Sequence, residues 1–124
     1  MRVSLKKRFR IEAAHRLPNV SEDHKCFRLH GHSFGIEVVV EGEVDSDSGW
    51  LIDYADIEEA FAPVFSKLDH RYLNEVPGLE NPTSENLACW IWKRLEEKLP
   101  LAEIRIHETC VSACVYKGEG TRKK

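Results

Sequence analysis

The stretch "HKCFRLHGHSFGIEVVVEG", residues 24–42, places histidines and a cysteine directly before an alternating apolar run. His30 and His32 are two residues apart, so on a strand both rings lie on the same side of a sheet. Gly31 between them leaves room for the backbone to approach a ligand. His15 ends an earlier alternating run on the same parity as Phe9, Ile11 and Ala13. If the two runs pair, the three imidazoles meet, and three neutral histidines with an open fourth position are typical of catalytic Zn²⁺.

Cys26 lies four residues before His30, and two chemical roles are possible for its thiol. As a fourth ligand, its thiolate would close the site and make the metal structural. As a base or nucleophile, it would act beside an open metal position, where nearby positive charge favours the thiolate. The spacing does not decide between the two. His24, in the loop, is not expected to be a ligand.

Two other groups of residues could take part in chemistry. Asp69 and His70 follow a predicted helix, and a carboxylate that accepts from a ring N–H fixes the histidine tautomer, although adjacent residues need not touch. Glu108 ends a strand-like run and could accept two N–H bonds from a planar heterocycle, or be a solvated strand residue. Thr83 and Ser84 can cap a helix through their hydroxyls.

The elements that must position these residues follow from periodicity. Alternation over residues 4–16 and 32–42 predicts a long antiparallel pair of strands, joined by a polar loop that begins at Pro18. Apolar residues at helical spacing predict two helices, the first capped by Asp53 or Asp56 and relaxed or kinked at Pro63. Two more strands follow, "EIRIHE" and "CVSACVYKG". The order β-β-α-α-β-β predicts an α+β domain, with two helices on one face of a four-stranded antiparallel sheet whose open edges favour oligomerisation into a barrel.

Length, composition and net charge limit the classes of function that the chain can have. The chain has 124 residues, 42% of them hydrophobic and 31% charged, which predicts one domain over residues 1–124. A formal charge of −3 gives no reason to expect nucleic-acid binding as the main activity. No apolar run is long enough for a membrane span or a signal peptide. The four cysteines show no compact disulfide framework, so we expect reduced thiols in a cytoplasmic protein.

Six motifs in order, spanning about Phe9 to Glu119, resemble the 6-pyruvoyl-tetrahydropterin synthase family, and most closely its bacterial 6-carboxy-5,6,7,8-tetrahydropterin synthase branch. They are "EAAHRLP", "CFRLHGHSF", "GWLIDYADI", "LDHRYLN", "NPTSENLA" and "ETCVSACVYKGE". The resemblance implies the T-fold (tunnelling fold), with sheets joined into a barrel and two trimers stacked as a homo-hexamer. It also implies active sites between neighbouring subunits.

The resemblance also implies roles for individual residues. His15, His30 and His32 match the ligands of one Zn²⁺ per subunit, and Cys26 matches the catalytic base. Asp69 and His70 match the pair that assists catalysis. Glu108 matches the carboxylate that anchors the pterin ring. Thr83 and Ser84 match positions that hold the ring from another subunit. Arg28, with Arg16 and Lys25, is a candidate for contacts to the substrate's triphosphate.

The reaction implied is the conversion of 7,8-dihydroneopterin triphosphate into 6-carboxy-5,6,7,8-tetrahydropterin, with loss of acetaldehyde and triphosphate, in queuosine biosynthesis. The short spacing between Cys26 and His30 resembles this branch, because pyruvoyl-forming relatives tend to have a longer insertion there. A pyruvoyl-forming synthase and a non-catalytic, zinc-stabilised binding module are the alternatives.

Overall fold

The fold is built around one long antiparallel pair of strands. In a computed structural model, which describes residues 1–119, β1 (Arg2–His15) pairs with β2 (His30–Glu43) from Arg2↔Glu43 to His15↔His30. The alternating residues of both strands share one buried face, as their parity predicts. Residues 120–124, which include the basic Arg122, Lys123 and Lys124, lie outside the described residues.

Three further strands complete the sheet. β4 (Leu101–Thr109) runs antiparallel to β2, and β5 (Ser112–Tyr116) forms a hairpin with β4. The two-residue β3 (Arg71–Tyr72) runs parallel to β1 at Ala13 and Ala14. The sheet order is β3-β1-β2-β4-β5, so the α+β class is confirmed but the predicted count of four strands is wrong by one. A strand of two residues has no alternation that a sequence pattern could reveal.

Two helices cover the apolar face of the sheet. α1 (Tyr54–Leu68) begins at Asp53, whose carboxylate accepts from the Ala55 N–H, and it continues through Pro63 without ending there. α2 (Ser84–Leu95) begins at Thr83, whose hydroxyl accepts from the Asn86 N–H. The core between the helices and the sheet includes Phe34, Phe61 and Ile91. Neither helix within residues 1–119 has the length and apolar character needed to cross a lipid bilayer.

The opposite face of the sheet carries a buried carboxylate. Glu37 lies 3.2 Å from Arg105 Nη1, 3.3 Å from His107 Nε2 and 3.4 Å from Arg8 Nη1. Burial by itself would raise the pKa of Glu37, but the hydrogen bonds from His107 and Arg105 and the nearby Lys6 charge outweigh it. They hold the pKa below its ordinary value. The network therefore depends on an ionised Glu37.

Candidate functional site

Three histidines meet where β1 ends and β2 begins. His15 and His30 are register partners, and His32 stands opposite Ala13, so all three rings lie on the apolar face of the pair. One ring nitrogen from each lies within 4.8 Å of the others. Ring centroids are 4.6 Å apart for His15 and His30 and 5.3 Å apart for His15 and His32. The geometry can hold a metal ion, as the alternation of the strands predicts.

The hydrogen bonds of the three rings determine which nitrogen of each ring keeps a lone pair for a metal ion. Each Nδ1 lies against a backbone carbonyl: His15 against Pro82 O at 3.0 Å, His30 against Arg28 O at 2.9 Å, and His32 against Ser33 O at 2.9 Å. A carbonyl only accepts, so each Nδ1 carries the proton and each Nε2 keeps a free lone pair. These carbonyls have no side-chain signature, and sequence reasoning missed them.

His15 shows most clearly that the cluster suits a cation. Its side chain is 1% exposed, and its Nε2 is buried with no hydrogen-bond partner. Burial lowers the pKa of His15, so the ring is neutral near pH 7, the state that a metal ligand needs. A buried, unpartnered acceptor costs free energy unless something fills the position. A divalent ion bound by three imidazoles would do so.

Glu108 approaches this cluster from β4. Its Oε1 lies 3.9 Å from His32 Nε2, and its Oε2 accepts a short hydrogen bond from the Ser84 hydroxyl of the same chain. Thr83, Ser84 and Glu108 line one cavity of about 360 Å³. The three residues that the resemblance assigns to ring binding therefore come together, but within one chain, whereas the resemblance places Thr83 and Ser84 on a neighbouring subunit.

Asp69 and His70 do contact each other. Asp69 Oδ2 accepts from His70 Nδ1 at 2.8 Å, and Oδ1 accepts from the Glu12 N–H at 2.9 Å. The Glu12 N–H, followed by His70, lowers the pKa of Asp69, so the carboxylate is ionised. His70 has φ 59° and donates its backbone N–H to Glu12 O at 2.6 Å, a left-handed conformation that non-glycine residues adopt mainly under local constraint. His70 and His32 line a common cavity of about 500 Å³.

Cys26 lies in a 3-10 turn, Lys25–Phe27, inside the segment predicted as a plain loop. The turn is capped by His24, whose Nδ1 accepts from the Cys26 N–H at 3.0 Å, and the Cys26 carbonyl accepts from the Leu17 N–H. Within residues 1–119, no thiol joins the group of converging ligand atoms. The converging ligand atoms are thus three histidine nitrogens without a cysteine sulfur among the described residues.

The basic residues proposed for phosphate contacts lie around this turn. Arg16 donates from Nε to Phe27 O at 3.0 Å and lies over the Phe27 ring, so it anchors the loop. Arg28 and Lys25 are exposed. Of the three, Arg28 and Lys25 keep side chains that are available to an anion.

The sequence and the fold are both similar to those of known proteins of one family. Residues 4–119 match the family described as 6-pyruvoyl tetrahydropterin synthase. The chain is 44% identical over 117 residues to a 6-carboxy-5,6,7,8-tetrahydropterin synthase of Synechocystis, covering 89% of each chain. It is 44% identical over 72 residues to a dihydroneopterin monophosphate aldolase of Pyrococcus furiosus, covering 58% of this chain and 60% of the relative. The structure of a Caenorhabditis elegans 6-pyruvoyl tetrahydropterin synthase superimposes with a TM-score of 0.87 at 29% identity, covering 96% of this chain and 97% of that one.

Proposed function

Because the chain belongs to the 6-pyruvoyl tetrahydropterin synthase family, we propose that it is the carboxy-forming member of that family. It would convert 7,8-dihydroneopterin triphosphate and water into 6-carboxy-5,6,7,8-tetrahydropterin, acetaldehyde and triphosphate, as a zinc-dependent lyase of queuosine biosynthesis. The similarity to the carboxy-forming relative covers 89% of the chain, against 58% for the aldolase, which supports this choice.

The observation that carries the proposal is the convergence of three Nε2 lone pairs beside Glu108. His15, His30 and His32 would hold Zn²⁺, whose preferred donors include neutral imidazole. When bound, the ion supplies a positive charge that stabilises negative charge developing on the substrate's side-chain oxygens. The backbone carbonyls behind the rings keep each imidazole in the tautomer that binding requires.

Proton transfer would be the task of Cys26 and of the Asp69–His70 pair. A Cys26 thiolate would accept a proton from the substrate side chain. Asp69 holds the proton of His70 on Nδ1, so the neutral ring presents Nε2 as the atom that can accept a proton and then return it. The hydrogen bond from the Glu12 N–H keeps Asp69 ionised and in place for that role.

Glu108 would select the heterocycle. A carboxylate offers two acceptor oxygens, which suits the adjacent N–H donors of a pterin ring. One of these oxygens accepts a hydrogen bond from the Ser84 hydroxyl, so an incoming ring would displace or share that hydroxyl. Thr83, as the cap of α2, fixes the position of Ser84 at the rim of the cavity. Arg28 would contact the triphosphate from the exposed turn.

We further propose that the functional unit is a homo-hexamer of two trimers in the cytoplasm, each subunit a single domain over residues 1–124. β5 forms one edge of the sheet and carries the half-exposed Val115. At the other edge, β3 pairs with β1 only at Ala13 and Ala14, and the Glu12 backbone bonds to Asp69 and His70. Residues 2–11 therefore have no strand partner on that side among residues 1–119. Pairing between β5 of one copy and β1 of the next would close both edges. Native mass spectrometry tests the subunit number.

The function is tested by incubating the purified protein with 7,8-dihydroneopterin triphosphate. Products are identified by mass spectrometry, acetaldehyde is measured, and zinc is quantified on the same sample. We expect the carboxy product, stoichiometric acetaldehyde and about one zinc per chain. Cys26→Ala is the matched control, expected to keep its zinc and lose turnover. A pyruvoyl product without acetaldehyde would overturn the carboxy assignment, and loss of zinc and folding in Cys26→Ala would identify a zinc-stabilised binding module instead.

A further inference from the structure

A second cavity lies away from the histidine cluster. It has a volume of about 660 Å³ and lies where the end of α1, β3 and α2 meet, with Lys67, Arg71, Glu75 and Arg94 among its lining residues. None of the three clustered histidines and neither Cys26 nor Glu108 lines it. Its volume lies within the range of small-molecule sites. The family resemblance assigns no role to these residues.

The charge of this cavity is unusual for the chain. Three of its lining side chains are cationic and one, Glu75, is anionic, although the whole chain carries a formal charge of −3. Within residues 1–119, none of Lys67, Arg71 and Arg94 forms an ion pair with a carboxylate within 4.0 Å. By contrast, Arg105 on β4 forms ion pairs with Glu37 and Glu103. The cavity therefore brings together three cations and one carboxylate, and none of the three cations is engaged in an ion pair within residues 1–119.

Arg94 is held in place in this cavity by contacts that involve no carboxylate. Its guanidinium lies 3.6 Å from the centroid of the Trp90 ring and donates from Nη1 to Trp90 O at 3.2 Å. Trp90 is itself 5% exposed and is fixed by a bond from Nε1 to Pro77 O at 3.0 Å. Burial lowers the pKa of Arg94, although the group stays protonated. A stacked guanidinium loses little side-chain freedom on binding and keeps N–H groups for an anion.

We propose that this cavity binds a small polyphosphate anion through Lys67, Arg71 and Arg94. Guanidinium groups match phosphate oxygens with paired hydrogen bonds, and a lysine adds a compact charge. Arg71 directly follows His70 in the chain and begins β3, so an anion held here would contact the segment that carries the Asp69–His70 pair. Binding itself does not depend on the proposed reaction, which only suggests the probe, because it releases inorganic triphosphate.

The experiment is calorimetric titration of the full chain with inorganic tripolyphosphate, with ATP and sulfate as comparison arms. The ATP arm tells whether a nucleotide or the free anion is the better ligand. Arg94→Gln is expected to weaken tripolyphosphate binding by about tenfold and Lys67→Gln by about threefold, because each removes donors from the anion. Lys93→Gln is the matched control, since Lys93 is an exposed neighbour on α2 that does not line the cavity. The fluorescence of Trp90 under Arg94 gives a second readout.

Two results would overturn the proposal. One is the absence of tripolyphosphate binding at about 10 mM, which corresponds to less than 3 kcal/mol of affinity. The other is an equal loss of binding in Lys93→Gln and Lys67→Gln, which would indicate attraction to the surface in general. Lys67→Gln keeps the test valid if Arg94→Gln unfolds, because Lys67 is an exposed helix residue. Product analysis is a separate measurement, so failure of the lyase proposal would leave this one standing.

Discussion

Replacing His15 by leucine would separate the proposed metal binding by this residue from its role in packing. The side chain is almost fully buried beside Phe34, with ring centroids 5.2 Å apart, and its Nε2 has no partner. Leucine is close to histidine in volume and is apolar. We therefore expect His15→Leu to abolish metal binding while changing the stability of the metal-free protein only slightly.

The expected change in the free energy of unfolding of the metal-free protein has three contributions. Removing the unsatisfied ring nitrogen gains about 1–3 kcal/mol, and losing the Nδ1 hydrogen bond leaves Pro82 O without that donor, which costs about 1–3 kcal/mol. The similar volume of leucine keeps any cavity cost small. Without metal, the free energy of unfolding of the variant is thus expected to lie within about 2 kcal/mol of the wild-type value. With zinc at about 1,000 times its dissociation constant, the wild type gains about 4 kcal/mol that the variant cannot gain.

The assay is denaturant unfolding followed by circular dichroism, with EDTA and then with added zinc. The wild type should shift its midpoint on adding zinc, and His15→Leu should not. His107→Gln is the control, because His107 lies in the Glu37 network on the other face of the sheet and should respond to zinc as the wild type does. If metal-free His15→Leu is destabilised by more than about 2 kcal/mol, or still gains stability from zinc, the reasoning fails: His15 would be a packing residue.

Three further predictions concern other residues. Asp69→Asn should lower kcat by a factor on the order of 10² to 10⁴ with little change in Tm. The reason is that the amide N–H₂ would favour the His70 tautomer whose Nε2 carries the proton. An unchanged kcat would contradict the role proposed for Asp69. Cys26→Ser should retain zinc, measured by metal analysis, and lose most turnover, and zinc loss would argue that the thiol is a ligand. Stability measured against pH should fall as the pH drops below the ordinary Glu range and through the lowered pKa of Glu37, because the unfolded chain binds that proton first. Glu37→Gln should flatten this acid-side slope, and an unchanged slope would show that other carboxylates control it.

The sequence predicts much of the fold because most of its signals are periodic. Alternation in β1 and β2 defines which residues face the core, and antiparallel pairing of the two strands then brings His15 to His30 and His32. Caps at Asp53 and Thr83 mark where the helices begin. These features depend only on local spacing and on hydrogen-bonding side chains, which a single sequence records.

The features that sequence reasoning missed depend on contacts between distant backbone groups. The carbonyls of Pro82 and Arg28 behind the histidines leave no trace in residue type, and β3 is too short for a pattern. The contact between Asp69 and His70 is one of two alternatives that the sequence leaves open, because adjacency alone does not imply the left-handed φ of His70 that accompanies it. The cationic cavity joins Lys67 to Arg94 across two helices, a proximity set by packing rather than by spacing.

The carbonyls behind the three imidazoles have a consequence for anyone who would re-engineer this centre. In many metalloproteins the residue that orients a ligand is itself a side chain and can be exchanged by point mutation. Here the orienting atoms belong to the main chain at Pro82, Arg28 and Ser33, and every amino acid supplies the same oxygen. Changes of side chain at these positions would therefore leave ring orientation intact, whereas a one-residue insertion between Arg28 and His30 would turn a ring away. Selectivity for another ion would have to be sought by altering loop length.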